Sequence, residues 1–399
     1  MLLAKKIRLK PTAEQEIQFR KSAGTARFAG NYFVRRNEEH YEEYKKFLFD
    51  GDIRKELTQL KKQEEFKWLQ EISANVVKQA VKDKCDGLRR YLADKINHGF
   101  PTISKKGKTA PSFYVNYESL KRVRNGFIGE RLGYVLTVEP LPKLANGEKY
   151  KNPRITFDGK FWFLSIVIEV PTQQHTLTDN VACPSDRRVG IDLGIKELAV
   201  TSDGVVYSNI NHSKEVKRLK KALKREQRSS ARMLEENTES KGKNGKPKYK
   251  KPLHECKNFQ KSKRKQGRIH RRLTNIRTNH LHQATAEIVK TKPSRIVMED
   301  LNIKGMLKNK HLARAISEQK WYEFRRQIQY KCQLNGIEFV LAARFYPSSK
   351  ICSKCGTKKA NLKLNDRVFR CECGHTQDRD LNAALNLAKY PSARRADVA

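Results

Sequence analysis

The chain has 399 residues, enough for two or three domains. Its 84 Lys and Arg against 43 Asp and Glu give a formal net charge of +41. A compact body with that excess repels itself unless a polyanion is bound, which points to nucleic acid. A membrane surface is the weaker reading, because no long apolar span and no basic amphipathic anchor stands out. Met1 to Lys6 has no apolar signal core. Cys85, Cys183, Cys256 and Cys332 are scattered and read as reduced thiols. A cytosolic protein is therefore expected.

In chain order, Leu2 to Lys10 alternates and predicts one short strand. Pro11 breaks it and Thr12 can cap a helix. Helical character then runs in pieces to about Asn97, with Leu69, Ile72, Val76, Val77, Val81, Leu88 and Leu92 on one apolar stripe from Trp68 onward. Lys78, Lys82, Arg89 and Lys95 lie largely off that stripe. They form either a solvated basic face or a clamp on nucleic acid; the total charge favours the clamp for the block as a whole. Phe100 to Tyr117 mixes Gly, Pro and Lys with Phe113, Tyr114 and Tyr117. Those aromatics can stack on bases or simply anchor the loop. From Gly126 to Val170 the pattern is β, clearest where Asp158-Gly159 separates two apolar runs, a strong hairpin signal. With the first strand this predicts a small β-barrel interrupted by the helical block. Thr172 to Arg187 reads as a polar linker.

The run VGIDLGIKELAVTSDG, from Val189 to Gly204, predicts a buried strand carrying Asp192, then a hairpin turning at Asp203-Gly204. A carboxylate inside such a strand costs several kcal/mol unless it is paired or binds a metal. Gly190 and Gly194 would leave room for a phosphate backbone. Sugar-kinase and actin-like ATPases also open with I-D-L-G, but the second phosphate-binding glycine loop they need is not found. His212 to Glu236 predicts a charged helix with a thin stripe of Val216, Leu219 and Leu223. Asn237 to Arg268 is poor in apolar residues and reads as mobile until bound. Ile269 to Val289 resumes a helix, the two forming a hairpin. Arg295 to Leu301 is a short apolar strand ending in Glu299, Glu318 to Leu334 a helix, and Ile337 to Ala343 a strand.

Tyr346 to Tyr390 concentrates the chemistry. Cys352-x-x-Cys355 and Cys371-x-Cys373 are two thiolate arms, each followed by a glycine that permits a tight turn. Four thiolates so spaced fit one structural zinc with no open position. The second arm is shorter than usual, so its turn must be tighter. Asp378 and Asp380 follow at the start of a predicted helix. Asp192, Glu299 and Asp380 thus fall on a strand, a strand end and a helix start, the layout expected of an RNase H-like nuclease. There, carboxylates at a sheet edge hold two Mg²⁺ ions about 3.5–4 Å apart.

The run from VGIDLGIKELAVTSDG through IVMEDL to YPSSKICSKCG and FRCECGHTQDRDLNAALNLA resembles the OrfB/TnpB proteins of insertion-sequence transposons. These are compact relatives of type V CRISPR effector nucleases. The likeness is most specific from Arg188 to Tyr390 and continues upstream in IRLKPTAEQE and SAGTARFAGNYFVRR. It implies an RNA-guided endonuclease that takes a noncoding guide RNA and cuts double-stranded target DNA beside a short adjacent motif. The implied fold is α+β and multidomain. A wedge-type β-barrel (residues 1–11 and 100–175) carries a helical recognition domain (12–99). An RNase H-like, RuvC-type nuclease domain (188–345 and 376–390) holds a zinc-binding insert (346–375), and 391–399 is a tail. The implied catalytic and magnesium-binding triad is Asp192, Glu299 and Asp380, with Asp378 as rival for the third place. Asp380 is preferred because the family sets its acid two residues before an asparagine, here Asn382. The implied zinc ligands are Cys352, Cys355, Cys371 and Cys373. The block around Arg54 and Ala74 to Lys78 lies where relatives read the adjacent motif. Arg54, Lys78, Phe113 and Tyr114 are thus the candidate nucleic-acid contacts. Two other classes remain: a guide-dependent DNA-binding repressor, against which three intact acids argue, and a conventional DNA transposase or resolvase working without RNA.

Overall fold

Alternation makes Leu2–Lys10 a strand, β1, with Ile7 and Leu9 turned into the core. The structure is a computed structural model and describes residues 1–145, 147–171, 187–241, 247–359, 361–362 and 366–391. Cys183, nearly all of the expected linker and most of the tail lie outside the described residues. The chain divides into two units, Met1–Val170 and Pro171–Ala399.

In the first unit, Pro11 ends β1 and Thr12 caps the helix α1, Ala13–Tyr44. Thr12 Oγ1 accepts from the Gln15 amide at 3.2 Å, and Gln15 Oε1 accepts in return from the Thr12 amide at 3.1 Å, a reciprocal capping box. Helices α2 (Asp50–Leu60) and α3 (Ala74–Ala93) follow, then strands β2 (Ser112–Tyr114), β3 (Lys121–Val123), β4 (Gly126–Gly129), β5 (Gly133–Thr137), β6 (Lys151–Phe157) and β7 (Trp162–Glu169). They form one sheet in the order β2-β6-β7-β1-β5-β4-β3, so β1 enters between strands that come more than a hundred residues later. The β6–β7 hairpin turns as expected: Gly159 takes φ 94° and Asp158 Oδ1 accepts from the Lys160 and Phe161 amides. Trp162, Leu164, Ile166 and Ile168 alternate inward along β7. The first half of α1 covers them, Phe19 meeting Trp162 edge-on at 5.2 Å. Its second half packs a separate helical core of Phe33, Val34, Ile53, Leu57, Val81 and Leu88.

The second unit begins with β8 (Arg188–Leu193), β9 (Glu197–Thr201) and β10 (Val206–Ser208), an antiparallel meander. Helix α4 (Lys214–Glu236), the hairpin β11 (Thr238–Lys241) and β12 (Pro247–Tyr249), and helix α5 (Lys257–Lys290) come next. Then follow β13 (Arg295–Glu299), the short helices α6 (Ile303–Met306) and α7 (Ala313–Gln319), α8 (Trp321–Leu334) and β14 (Glu338–Ala342). The small pair β15 (Val368–Arg370) and β16 (Thr376–Asp378) leads into α9, Arg379–Ala388. The main sheet runs β10-β9-β8-β13-β14, with β8, β13 and β14 parallel. Val189, Ile191, Ile296 and Met298 on one face pack against α5 and α8. Val297 and Ala342 on the other meet Leu387 of α9.

Four expectations need correction. Helix α5 starts at Lys257, twelve residues before the predicted Ile269. Lys, Arg and Gln are good helix formers, and the early α4–α5 contact is polar. Ser262 Oγ donates to Glu226 Oε2 at 2.9 Å and Gln266 Nε2 to Ser230 Oγ at 2.8 Å, so no apolar period marks it. The predicted helix Glu318–Leu334 breaks at Lys320, φ 55°, where Gln319 donates to the carbonyls of Gly194 and Ile195. The stripe from Trp68 is not one helix, because Ser73 caps α3 anew. Within Phe100–Tyr117, Ser112–Tyr114 is an edge strand paired with β6.

Candidate active site

Strand alternation sets which side chains share a face. On β8, Val189 and Ile191 face α5, so Gly190 and Asp192 face α9. On β13, Ile296 and Met298 face α5, so Val297 and Glu299 face α9. The parallel register pairs Met298 with Ile191, and one step further sets Glu299 beside Asp192.

Gly190 fixes how α9 arrives. A Cβ at this position would lie 1.9 Å from the Ala384 carbonyl oxygen and 2.4 Å from the Ala388 amide nitrogen. The expected approach of a phosphate backbone at Gly190 is therefore wrong: the space is filled by α9. Gly194 is close to its own turn, where a Cβ would meet the Glu197 carbonyl oxygen at 3.1 Å. With α9 seated on Gly190, its first turn carries Asp380 toward Asp192. Asp378 is the N-cap, its Oδ1 accepting from the amides of Asp380 at 2.9 Å and Leu381 at 3.1 Å. Asp380 follows in the first turn, 3.6 Å from the Arg379 guanidinium, and the charges of both Asp380 and Asp378 bear on Asp192.

Electrostatics agree with this convergence. Burial pushes the Asp192 carboxyl well above its usual range, the charges of Glu299 and then Asp380 push it further, and Arg379 opposes them. Burial also raises Glu299, against a hydrogen bond that the Ser348 hydroxyl donates to its Oε1. Clustered, desolvated carboxylates of this kind are suited to an oxygen-seeking divalent cation, which would restore their charged forms.

The four cysteines come together as expected. The Sγ atoms of Cys352, Cys355, Cys371 and Cys373 all lie within 4.8 Å of one another, and they form the one such compact donor cluster among the described residues. Cys352 and Cys373 are 3.8 Å apart, and Cys355 and Cys371 3.5 Å. A tetrahedron with Zn–S bonds of about 2.3 Å has edges of about 3.8 Å, so the set fits zinc. Gly356 (φ 77°) and Gly374 (φ 79°) make the two turns, and the short second arm closes with Gly374 donating to the Cys371 carbonyl at 3.0 Å. The Thr357 hydroxyl and amide, then the thiols of Cys352 and Cys373, draw the Cys355 thiol down to about 6, while Cys371, against a backbone hydrogen bond at Cys373, is pushed up to about 12 by burial and the neighbouring thiols.

Sequence reasoning missed the residues that join knuckle and acids. Asn382 and Asn386 are buried on one face of α9. Asn382 Nδ2 donates to the Ile351 carbonyl at 2.7 Å, and its Oδ1 accepts from the Ser353 amide at 2.9 Å. Asn386 Nδ2 reaches the Ser348 and Ile351 carbonyls, both at 2.7 Å. The available signal was two asparagines spaced i, i+4 in an otherwise apolar helix.

The four expected nucleic-acid contacts all lie in the first unit and differ in what they can offer. Lys78 is exposed. Arg54 is half-exposed and paired with Asp50 at 2.7 Å. Tyr114 is partly buried on the edge strand. Phe113 is 2% exposed and packs against Phe19, so it is a core residue and its expected role in base stacking is corrected.

Fold and site together define an α+β protein with an acidic sheet face beside a zinc-ribbon-like cysteine cluster. Residues 165–310 match the OrfB_IS605 family described as "Probable transposase". Residues 1–46 match its "Helix-turn-helix domain", and 321–387 the "Cas12f1-like, TNB domain". A Streptomyces pristinaespiralis protein named "Putative RNA-guided DNA endonuclease" is 31% identical over 96% of this chain and 87% of its own length. The Escherichia coli K12 protein of the same description, InsQ, is 28% identical over 97% and 91%. A cryo-EM structure of CasPhi-2 (Cas12j) bound to crRNA aligns with 98% of each chain at 11% identity and a TM-score of 0.45. The chain belongs to the OrfB/TnpB family of insertion-sequence transposon proteins. Among the described residues no helix is long and apolar enough to cross a membrane.

Proposed function

We propose that this chain is a transposon-associated RNA-guided DNA endonuclease whose second unit is an RNase H-like, RuvC-type nuclease domain. The observation that carries the reading is the gathering of Asp192, Glu299 and Asp380 on the α9 face of the β8–β13 pair. The sheet order, an antiparallel meander extended by two parallel strands, supports the same domain type. The names of its relatives support RNA guidance, and the net charge of +41 supports a large polyanionic partner. The first unit is read as a wedge-type β-barrel with the helical block, including Arg54, Lys78 and Tyr114, as recognition domain.

Asp192, Glu299 and Asp380 would hold Mg²⁺, which when bound supplies positive charge at the attacking and leaving oxygens of phosphodiester hydrolysis. The chain's own part is to bring three part-buried carboxylates to one face of the sheet. Ser348 orients Glu299, Gly190 lets α9 seat, and Asp378 caps α9 so that Asp380 stands in its first turn, where the helix dipole favours negative charge. One zinc in the four-thiolate knuckle would be structural. Guide pairing would read target sequence, and the protein would read only duplex shape and the adjacent motif.

The test is to sequence the RNA that co-purifies and then challenge the particle with a plasmid library randomised beside the matching target. Sequence-directed cleavage that needs Mg²⁺ is expected. Asp192→Ala, Glu299→Ala and Asp380→Ala should each abolish cutting while RNA and target binding persist. Near-normal cutting by Asp380→Ala, with a dead Asp378→Ala, would move the third acid. Target binding without cleavage by the unmutated chain would return the repressor reading.

A further inference from the structure

Helices α4 and α5 run alongside each other, joined near the sheet by a thin apolar seam of Val216, Leu219 and Leu273. Further out the seam gives way to small and polar side chains. There the pair opens a groove of about 740 Å³ lined by Arg225, Arg228, Arg232, Lys265 and Arg268. All five are exposed. The single acid in the lining, Glu226, accepts from Ser262 at 2.9 Å and pairs with Lys265 at 3.3 Å. The four arginines form no ion pair with any described residue. No aromatic ring lines the groove.

We propose that this groove is a phosphate-backbone site for the structured part of the guide RNA, an inference that rests on the RNA-guided reading above. Three observations carry it. Arginine forks suit phosphate oxygens, and here they spend no charge inside the protein. With no aromatic ring in its lining the groove offers charge more than stacking, which suits a duplex backbone recognised by charge and shape. Its position favours RNA over target DNA. Helix α5 covers the sheet face opposite the carboxylates through Leu281, Ala284 and Ile288. Arg268 lies thirteen residues before Leu281, roughly 20 Å further along the helix at 1.5 Å per residue. The groove therefore lies outside the immediate footprint of a phosphate held at the acids, where a permanently bound scaffold can sit.

The experiment uses the full chain with the RNA that co-purifies, and the same chain stripped of it. Acetylation by a lysine-directed reagent is mapped by mass spectrometry. Lys265 should be protected in the RNA-loaded particle and reactive in the stripped protein, with no further change on adding target duplex. The double variant Arg228→Gln/Arg232→Gln should rebind that RNA with a log K versus log salt slope shallower by roughly 1.4–1.8, at 0.7–0.9 per lost phosphate contact. Its melting temperature without RNA should be unchanged, because both side chains are exposed and unpaired. RNA that binds while Lys265 stays reactive and the slope stays fixed overturns the groove and leaves the parent reading standing. Protection that appears only with target duplex also overturns it, assigning the groove to DNA. If no RNA co-purifies, the parent reading fails and the groove with it.

Discussion

The Ser348 hydroxyl donates to the Glu299 carboxylate across 49 residues of chain. Ser348 is buried, its carbonyl is held by Asn386 of α9, and Cys352 of the knuckle follows four residues later. The acid is therefore oriented by a segment anchored on one side by α9 and on the other by the cysteine cluster. Ser348→Ala should slow cleavage roughly ten- to hundred-fold, the usual cost of losing a partner that orients a metal ligand. Zinc content and guide-RNA binding should not change, and Ser348→Thr should restore most of the rate. A Ser348→Ala protein that has also lost zinc would reassign the residue to knuckle folding.

Gly190→Ala tests the seat of α9. The added Cβ meets backbone atoms at 1.9 and 2.4 Å, which no rotamer change relieves. Overpacking of this sort costs on the order of 1–3 kcal/mol or more. A melting temperature lower by roughly 2–12 °C is expected for a unit of this size, with cleavage impaired further because Asp380 moves with the helix. Gly267→Ala is the counterpart on α5, where a Cβ meets nothing within 4 Å. It should be neutral or stabilise by up to about 1 kcal/mol. Equal melting temperatures for the two variants would contradict the close packing at Gly190.

Where the chain's own chemistry writes a strong local pattern, the sequence was legible. Alternation gave β1, Asp-Gly pairs gave two hairpins, and Thr12 gave the start of α1. The paired cysteines announced their cluster. The three acids could be named and their meeting at a sheet edge expected, but not how that meeting is built, since it depends on a parallel register and on α9 filling the space over Gly190. Glycine in a strand says only that something approaches closely, not whether that is a ligand or a helix. Phe113 looked available because lysines surround it, but burial is a tertiary fact that composition does not carry. The first part of α5 was missed because its partner face is polar.

Elemental analysis of protein purified without chelator should find about one zinc per chain, the content of a single four-thiolate site. Cys352→Ser should lower that content sharply, because Cys352 is the buried member of the set and its loss leaves the remaining thiolates incomplete. Limited proteolysis should then cut between residues 350 and 376. Cleavage of DNA should fall as a consequence, through Ser348 and Glu299. Cys256→Ser, outside the cluster, should keep its zinc. A full zinc complement in Cys352→Ser would remove this residue from the ligand set.

The last prediction concerns acid stability and uses a pair remote from metal. Glu323 on α8 accepts from Arg326 Nε at 2.8 Å and Nη2 at 2.7 Å, and from Gln327 Nε2 at 3.0 Å. The Arg326 fork, opposed by burial and helped by Gln327, holds the Glu323 carboxyl down at about 2, from an ordinary 4.5. A carboxyl depressed in the folded state contributes stability that is fully present above its unfolded value. That contribution drains away as pH falls from about 4.5 through about 2. Arg326 is 52% exposed, so solvent screens the pair and the effect is modest. Gln327 also meets Thr285 in the core at 3.1 Å, so the carboxylate helps fix a buried contact between α8 and α5. Thermal melts of the unmutated chain and of Glu323→Gln should therefore differ by a constant amount between pH 5 and 7 and converge as pH drops toward 3. A gap that stays constant down to pH 3, or widens, would show that Glu323 is not held charged by Arg326.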